Sequence, residues 1–363
     1  MKITADTNAV CSTRRASKGF SLLEILIAMV IFTIVAGAAF GLFMNQEPVY
    51  NQQVSVAGMS IGLNNAISQV QMSLVNAGTG EFVGSNMPNA PLGVVITNQG
   101  STACNNAATY TYTAACFDTL TIVTAAPPPV PALNPAAAVN TTSGTLTLTP
   151  APGDTAAKDA AYFLKGDEIF LVKNDGSQLD TVVLTANGAV VGTNVQLTFT
   201  PAAANGTNAV DPLGITSNWF SKLGTSYATN DWAVKLNGVT YSVDTATNPK
   251  DPTLISQSFG DGLGAPVQVA DQIIGFKVGA ALWNSATLTT GDYIYTASQY
   301  TNAGAADAYD YTLVRSVRVS LIGRTTPSTD TLVKFRNGFD GGPYQIQGTS
   351  IVVNPRNMSM NDN

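Results

Sequence analysis

The sequence predicts an α+β fold: a long N-terminal helix, membrane-spanning in its first half, packed on a large antiparallel β-rich globular head. Three observations carry that expectation. An apolar run fills Phe20 to Met44, a helical apolar stripe follows it, and beyond Gly78 the pattern becomes short segments between turns.

Between Phe20 and Met44 the only polar side chains are Ser21, Glu24 and Thr33. At ~1.5 Å per residue the run makes a helix of roughly 38 Å, long enough to span a bilayer. A secretory signal has a shorter apolar core ending in a small-residue cleavage site, so export with loss of the whole segment fits less well. Arg14, Arg15 and Lys18 precede the run, and no Lys or Arg follows until Lys158. That asymmetry puts the N-terminus in the cytoplasm and the bulk of the chain outside.

Glu24 is the anomaly. A carboxylate inside a membrane helix costs about 2.5 to 3.5 kcal/mol on insertion scales, less near the interface, so it needs a partner or a reason. One reason is local: in the first turn the helix dipole favours negative charge, and the side chain can snorkel to headgroups.

Past the run, Met59, Leu63, Ile67, Val70 and Leu74 recur at spacings of three and four, opposite a face of Gln52, Gln53, Ser55, Ser60, Asn64, Asn65, Ser68, Gln71 and Ser73. This is an amphipathic helix over 45–78, laid on a globular head. Pro48 removes a backbone donor and predicts a kink, while Gly37 and Gly41 weaken the apolar half. Asn76-Ala77-Gly78 ends the helix, with Gly78 as a left-handed cap.

Residues 79–363 read as the β-rich head. Strands are expected at Asp118 to Thr124, Gly144 to Thr149, Glu168 to Lys173, Thr181 to Thr185 and Asn194 to Thr200. Others are expected at Val239 to Val243, Thr253 to Phe259, Gln272 to Leu282, Tyr311 to Ile322, Thr331 to Phe335 and Tyr344 to Val353. Asn174-Asp175-Gly176 signals a hairpin, because these residues tolerate positive φ. The Ala/Pro/Thr-rich stretch near 125–160 reads as an insertion or surface linker that divides the head into two lobes. Arg315, Arg318 and Arg324 alternate with apolar residues and read as the solvated face of a strand, where charge discourages edge pairing.

Composition restricts the chemistry. With 45% hydrophobic and 11% charged residues the 363-residue chain is a folded protein, and its net charge of −6 makes it a poor nonspecific partner for nucleic acid. The absence of histidine removes Ser-His-Asp and Cys-His catalysis and the HExxH zinc helix. No phosphate-binding loop occurs, and Gly260-Asp261-Gly262-Leu263-Gly264 lacks dinucleotide-loop spacing. Asp251, Asp261 and Asp271 are the carboxylates that could share a calcium ion, but no DxDxDG loop supports one. The expectation is a protein that is not an enzyme, with no metal or cofactor.

Gly19-Phe20-Ser21-Leu22-Leu23-Glu24, preceded by Arg14, Arg15 and Lys18 and followed by Ile25-Leu26-Ile27-Ala28-Met29-Val30-Ile31-Phe32, closely resembles the class III signal of type IV prepilins and type II secretion pseudopilins. The resemblance implies that residues 1–19 are a cleaved leader and that the prepilin peptidase cuts between Gly19 and Phe20. It also implies that Phe20 is N-methylated, that Glu24 pairs with the N-terminal amine of a neighbouring subunit, and that residues 20–44 hold the subunit in the inner membrane. Expected partners are other pilins and minor pilins, the peptidase, the inner-membrane pilus assembly platform and membrane lipid. The head is then periplasmic, and later on the pilus at the cell surface. The leader carries a net +3, which leaves the mature chain at −9.

Cys11 falls in that leader, so Cys104 and Cys116 remain as an even pair. An oxidising periplasm permits a disulfide whose loop closure contributes ~3 kcal/mol; two buried free thiols are the alternative. Two thiols without histidine leave a zinc site short of ligands.

Two further stretches, Val314 to Arg324 and Ile351 to Asn357, resemble the PilW-type minor pilins, as do Ala77-Gly78 and Val269 to Val278. The expected function is a minor pilin of a type IV pilus, incorporated by N-terminal helix packing and acting in filament priming and assembly or at the tip, in adhesion, motility or DNA uptake. A type II secretion pseudopilin is the alternative within the class. A single-pass, membrane-anchored binding or enzymatic domain is the alternative outside it.

Overall fold

The computed structural model describes residues 21–79, 93–98, 105–106, 109–126, 130–140, 143–174, 179–200, 226–260, 264–284, 289–295, 314–327 and 335–358. Helix α1 spans Leu22–Val75. Ser21 starts it: its carbonyl accepts from Glu24 N at 3.0 Å and Ile25 N at 3.2 Å. Position 48 lies inside the span.

Two compact units, Met1–Val54 and Ser55–Asn363, divide the chain. In the first, the helix bears exposed apolar side chains such as Phe32 and Phe40, each 73% exposed. It is long and apolar enough to cross a membrane, with a mean hydropathy of 2.6 over its most apolar window, none of which is buried.

In the second unit the stripe behaves as its spacing predicts. Leu63, Ile67, Val70 and Leu74 are buried together with Ala66 and Ala77, while Asn64, Asn65, Ser68 and Gln71 face out. Ser73 Oγ lies 2.9 Å from Tyr241 Oη, tying the helix to the sheet beneath. Gly323 permits the close approach: a Cβ there would meet Leu63 at 3.2 Å. The helix stops where expected, with Gly78 at φ +71° and its N–H turned to Val123 O at 2.8 Å. Left-handed backbone of this kind disfavours any side chain.

Twelve strands organise the described head: β1 (Val94–Thr97), β2 (Thr119–Ala125), β3 (Thr145–Thr149), β4 (Glu168–Val172), β5 (Leu179–Val183), β6 (Asn194–Thr198), β7 (Trp232–Asp244), β8 (Thr253–Phe259), β9 (Val267–Ala270), β10 (Ile273–Asn284), β11 (Val314–Arg324) and β12 (Ile346–Val353). Shorter two- and three-residue strands accompany them. Antiparallel pairing gives one sheet in the order β1-β2-β7-β8-β9, with β4 and β5 added through the first half of β7. A second sheet carries β10-β11-β12, and a third places β6 beside β3.

β7 and β4 link two apolar cores. Phe170, Val172, Val234 and Leu236 belong to the core under α1, whereas Ile169, Leu171 and Ala233 belong to the other. This explains why Glu168-Ile169-Phe170-Leu171-Val172 reads as a continuous run rather than an alternation: both faces of β4 are covered. β4 and β5 form the hairpin expected around Asn174, pairing from Glu168↔Val183 to Val172↔Leu179; Asp175 and Gly176 lie outside the described residues.

The linker expectation for 125–160 gives way. Leu133, Leu146, Leu148, Ala156 and Ala160 are buried in the second core, with β3 and the short helix α2 (Ala156–Ala160) formed inside the stretch. Its alternating Thr and Leu pack one face of a strand, so composition alone mistook a small core for a tether. An ion pair sits at the junction of β4 and β7: Lys235 Nζ is 2.7 Å from Asp167 Oδ2, with both side chains buried. Lys235 Nζ also donates to Tyr162 O at 2.8 Å, and Asp167 Oδ2 accepts from Leu164 N at 2.6 Å. Such satisfaction is what a buried charge requires.

The segment after β12 returns to the helix. Asn357 Nδ2 donates to Ala77 O at 3.3 Å and to Thr79 Oγ1 at 2.8 Å.

Candidate functional site

Two places concentrate the chemistry that the sequence singles out. The first is the beginning of α1. Glu24 occupies the first helical turn, is exposed, and lies at the head of an exposed apolar helix. Its carboxylate is available to a partner outside this chain, and the positive end of the helix dipole stabilises it meanwhile. Gly19, Phe20 and Cys104 lie outside the described residues. Cys116 is disulfide-bonded.

The second place is one that sequence reasoning misread. Arg318 is exposed and Arg315 half-buried, but Arg324 is 1% exposed, the largest fully buried side chain among the described residues. Its guanidinium is held on every side. Nε donates to Gln272 Oε1 at 2.7 Å, one terminal nitrogen to Tyr110 O at 3.1 Å and the other to Lys250 O at 2.6 Å. The rings of Tyr344 and Tyr112 lie 4.8 and 5.4 Å from its central carbon.

Arg324 also explains backbone strain. Tyr110 and Gln272, the two non-glycine residues with positive φ among those described, both at 52°, are two of its three hydrogen-bond partners. Left-handed backbone at such residues costs of order 1 to 3 kcal/mol and persists only where surrounding bonds fix it.

Beside the cage, Asp340 gathers two tyrosines. Its Oδ2 accepts from Tyr112 Oη at 2.5 Å and from Tyr344 Oη; its Oδ1 accepts from Asn337 Nδ2 at 2.9 Å and Gly342 N at 3.0 Å. Burial alone pushes the Asp340 carboxyl up, but the hydrogen bonds outweigh it and hold it below the usual carboxylate range. Burial, then the bond to the carboxylate, pushes the Tyr112 hydroxyl far above the ordinary phenol value. The arrangement keeps charge on Asp340 and protons on the tyrosines. It is a clamp, with no nucleophile poised beside a base.

Of the three aspartates considered for calcium, Asp251 Oδ1 accepts from Gln272 N and Nε2 at 3.3 and 2.8 Å, and Asp261 lies outside the described residues. Asp271 lines a groove of about 320 Å³, together with Gly58, Gly62 and Arg324. Among the described residues no group of three or more metal-ligating side chains assembles.

Comparison with known proteins bears on the first place. Residues 14–40 match the family described as "Prokaryotic N-terminal methylation motif". A type IV-like pilin from Thermus thermophilus is matched at 13% identity over 56% of this chain and 90% of that one, with a TM-score of 0.19. No curated protein matches the chain.

Proposed function

We propose that the chain is a minor pilin of a type IV pilus, made as a prepilin and acting by assembly, not turnover. The observation that carries the reading is the methylation motif over residues 14–40, set against an exposed apolar helix with Glu24 in its first turn. The prepilin peptidase cuts between Gly19 and Phe20, Phe20 is methylated, and the helix holds the subunit in the inner membrane with its head in the periplasm. The assembly platform then extracts it into a filament with other pilins. Glu24 is costly in lipid and pairs there with a neighbour's N-terminal amine. The resemblance of 314–324 and 351–357 to PilW-type chains supports a place at the priming end or tip. A disulfide between Cys104 and Cys116 fits an oxidising compartment.

N-terminal mass spectrometry of the exported protein, with immunolabelled pili from Glu24→Ala cells, tests the reading. The expected outcome is a mature chain starting at methylated Phe20, and a Glu24→Ala subunit that is cleaved but missing from filaments. An intact leader, or normal incorporation of Glu24→Ala, would overturn the corresponding step.

A further inference from the structure

At the end of β7 farthest from Asp244, Asn134, Asn174, Thr229, Asn230 and Trp232 line an open hollow of about 540 Å³. That volume falls in the range of small-molecule sites, and none of the five described lining residues is ionisable. Asn134, Asn174, Thr229 and Asn230 supply amides and a hydroxyl, groups that both donate and accept hydrogen bonds. The side chains of Asn174, Thr229 and Asn230 carry no hydrogen bond among the described residues.

The wall is built rather than incidental. Asp231, 5% exposed, gathers three separate segments: its Oδ1 accepts from Asn174 N at 2.8 Å, its Oδ2 from Ala228 N at 2.6 Å, and its carbonyl from Asn134 Nδ2 at 2.7 Å. Asp231 therefore fixes the polar rim through its carboxylate and its backbone carbonyl before any ligand arrives, which lowers the ordering cost of binding.

Trp232 is the second observation. It packs against the core under α1 and also lines the hollow, yet its Nε1 is buried without a hydrogen-bond partner. A buried indole usually finds a partner, and phenylalanine would fill a packing role without that unmet donor. Lining the hollow, the residue offers an apolar wall beside the polar rim.

We propose that this hollow binds a neutral saccharide, one pyranose laid on the Trp232 ring and its hydroxyls exchanging hydrogen bonds with Asn174, Thr229 and Asn230. Each sugar hydroxyl is donor and acceptor at once, as the amides are. None of the described lining residues is charged, which gives phosphates, carboxylates and cationic peptides no partner among them. The inference does not depend on the pilin reading, since the head can bind sugar whether or not it enters a filament.

The test is calorimetry and saturation-transfer NMR on the full chain in detergent, with maltotriose, cellotriose and chitotriose as soluble probes. Pull-down on amylose, cellulose and chitin separates polymer from free sugar as the source. The expected result is binding of at least one probe in the millimolar range. Trp232→Ala and the double variant Asn174→Ala/Asn230→Ala should each weaken it by about tenfold or more, and Trp232→Phe, with its narrower ring, by a smaller factor. Should Trp232→Ala fail to fold, the exposed Asn174/Asn230 pair decides alone. Absence of binding to every probe, or binding unchanged in the asparagine variant, overturns the proposal.

Discussion

Arg324 Nε donates to Gln272 Oε1 at 2.7 Å, and Arg324 N donates to Gln272 O at 3.0 Å, so side chain and backbone bind the same residue. Gln272 in turn is held to Asp251. The guanidinium therefore joins the end of β11 to the start of β10 and to the loops carrying Tyr110 and Lys250.

Removing it should be expensive. Arg324→Ala leaves Gln272 Oε1 and two carbonyls without their donor and opens a void, at a cost of about 3 kcal/mol or more. Arg324→Lys should recover only part of this, because an ammonium cannot reproduce the fork. Arg318 is exposed over the Tyr293 ring at 4.6 Å, so Arg318→Ala should cost under about 1 kcal/mol. Urea unfolding of the three variants checks the ranking; equal costs for Arg318 and Arg324 would refute it.

The Asp340 clamp predicts two pH limits. A carboxyl held low in the folded state contributes stability that is present above its unfolded pKa and fades as pH falls through and below the ordinary carboxylate range. Tyr112 and Tyr344 work at the other end. Their raised values mean that the unfolded chain releases those protons first, so stability falls as pH rises above the ordinary tyrosine value of 10.0. Thermal melts across pH should show both edges, and Asp340→Asn should flatten the acid one. An unchanged acid edge in that variant would assign it elsewhere.

Breaking the Lys235–Asp167 pair from one side should be worse than removing it. Lys235→Met alone leaves a buried carboxylate, for a loss of about 3 to 5 kcal/mol, whereas Lys235→Met with Asp167→Leu should cost clearly less. A double-mutant cycle measures the difference; strict additivity would show that the two charges do not act as a pair.

At the helix end, Gly78→Ala forces a side chain into left-handed backbone at about 1 to 2 kcal/mol, with a Cβ facing Met358 at 3.5 Å. Asn357→Ala removes the donor to Ala77 O and should cost about 1 kcal/mol. Hydrogen exchange of the last turn of α1 should accelerate in both, while the first core strands stay protected. Uniform acceleration would indicate global loss instead.

The elements that sequence revealed are those whose signal is local. The 3.6-residue stripe from Leu63 to Leu74 depends only on spacing, and β8 occupies Thr253–Phe259 as its pattern predicts. Arg324 failed for a specific reason. Two-residue periodicity places it on the outer face of β11 with Arg318, and periodicity says which way a side chain points, not what covers it. The cover comes from Tyr110, Tyr112, Lys250 and Tyr344, far apart in sequence and without a shared pattern. The second core was missed likewise, because Leu133, Leu146 and Leu148 are sparse in an Ala/Pro/Thr background. The hollow beside Trp232 had no linear signal; only the Asp231 hydrogen bonds assemble it.

The bond from Asn357 to Ala77 bridges a sequence separation of 280 residues, and it carries a consequence for timing. Gly78 can bend the chain early, but the Ala77 carbonyl just past α1 and the Met358 side chain near Gly78 wait for a segment made far later. Contacts at such separation close slowly, since the intervening loop must be ordered first. During N-to-C synthesis, Leu63, Val70 and Leu74 therefore emerge long before β12 and its following turn can join them. A chain cut short before Asn357 keeps the bond from Gly78 N to Val123 O but loses the donor to Ala77 O, so its first element is closed on one side only.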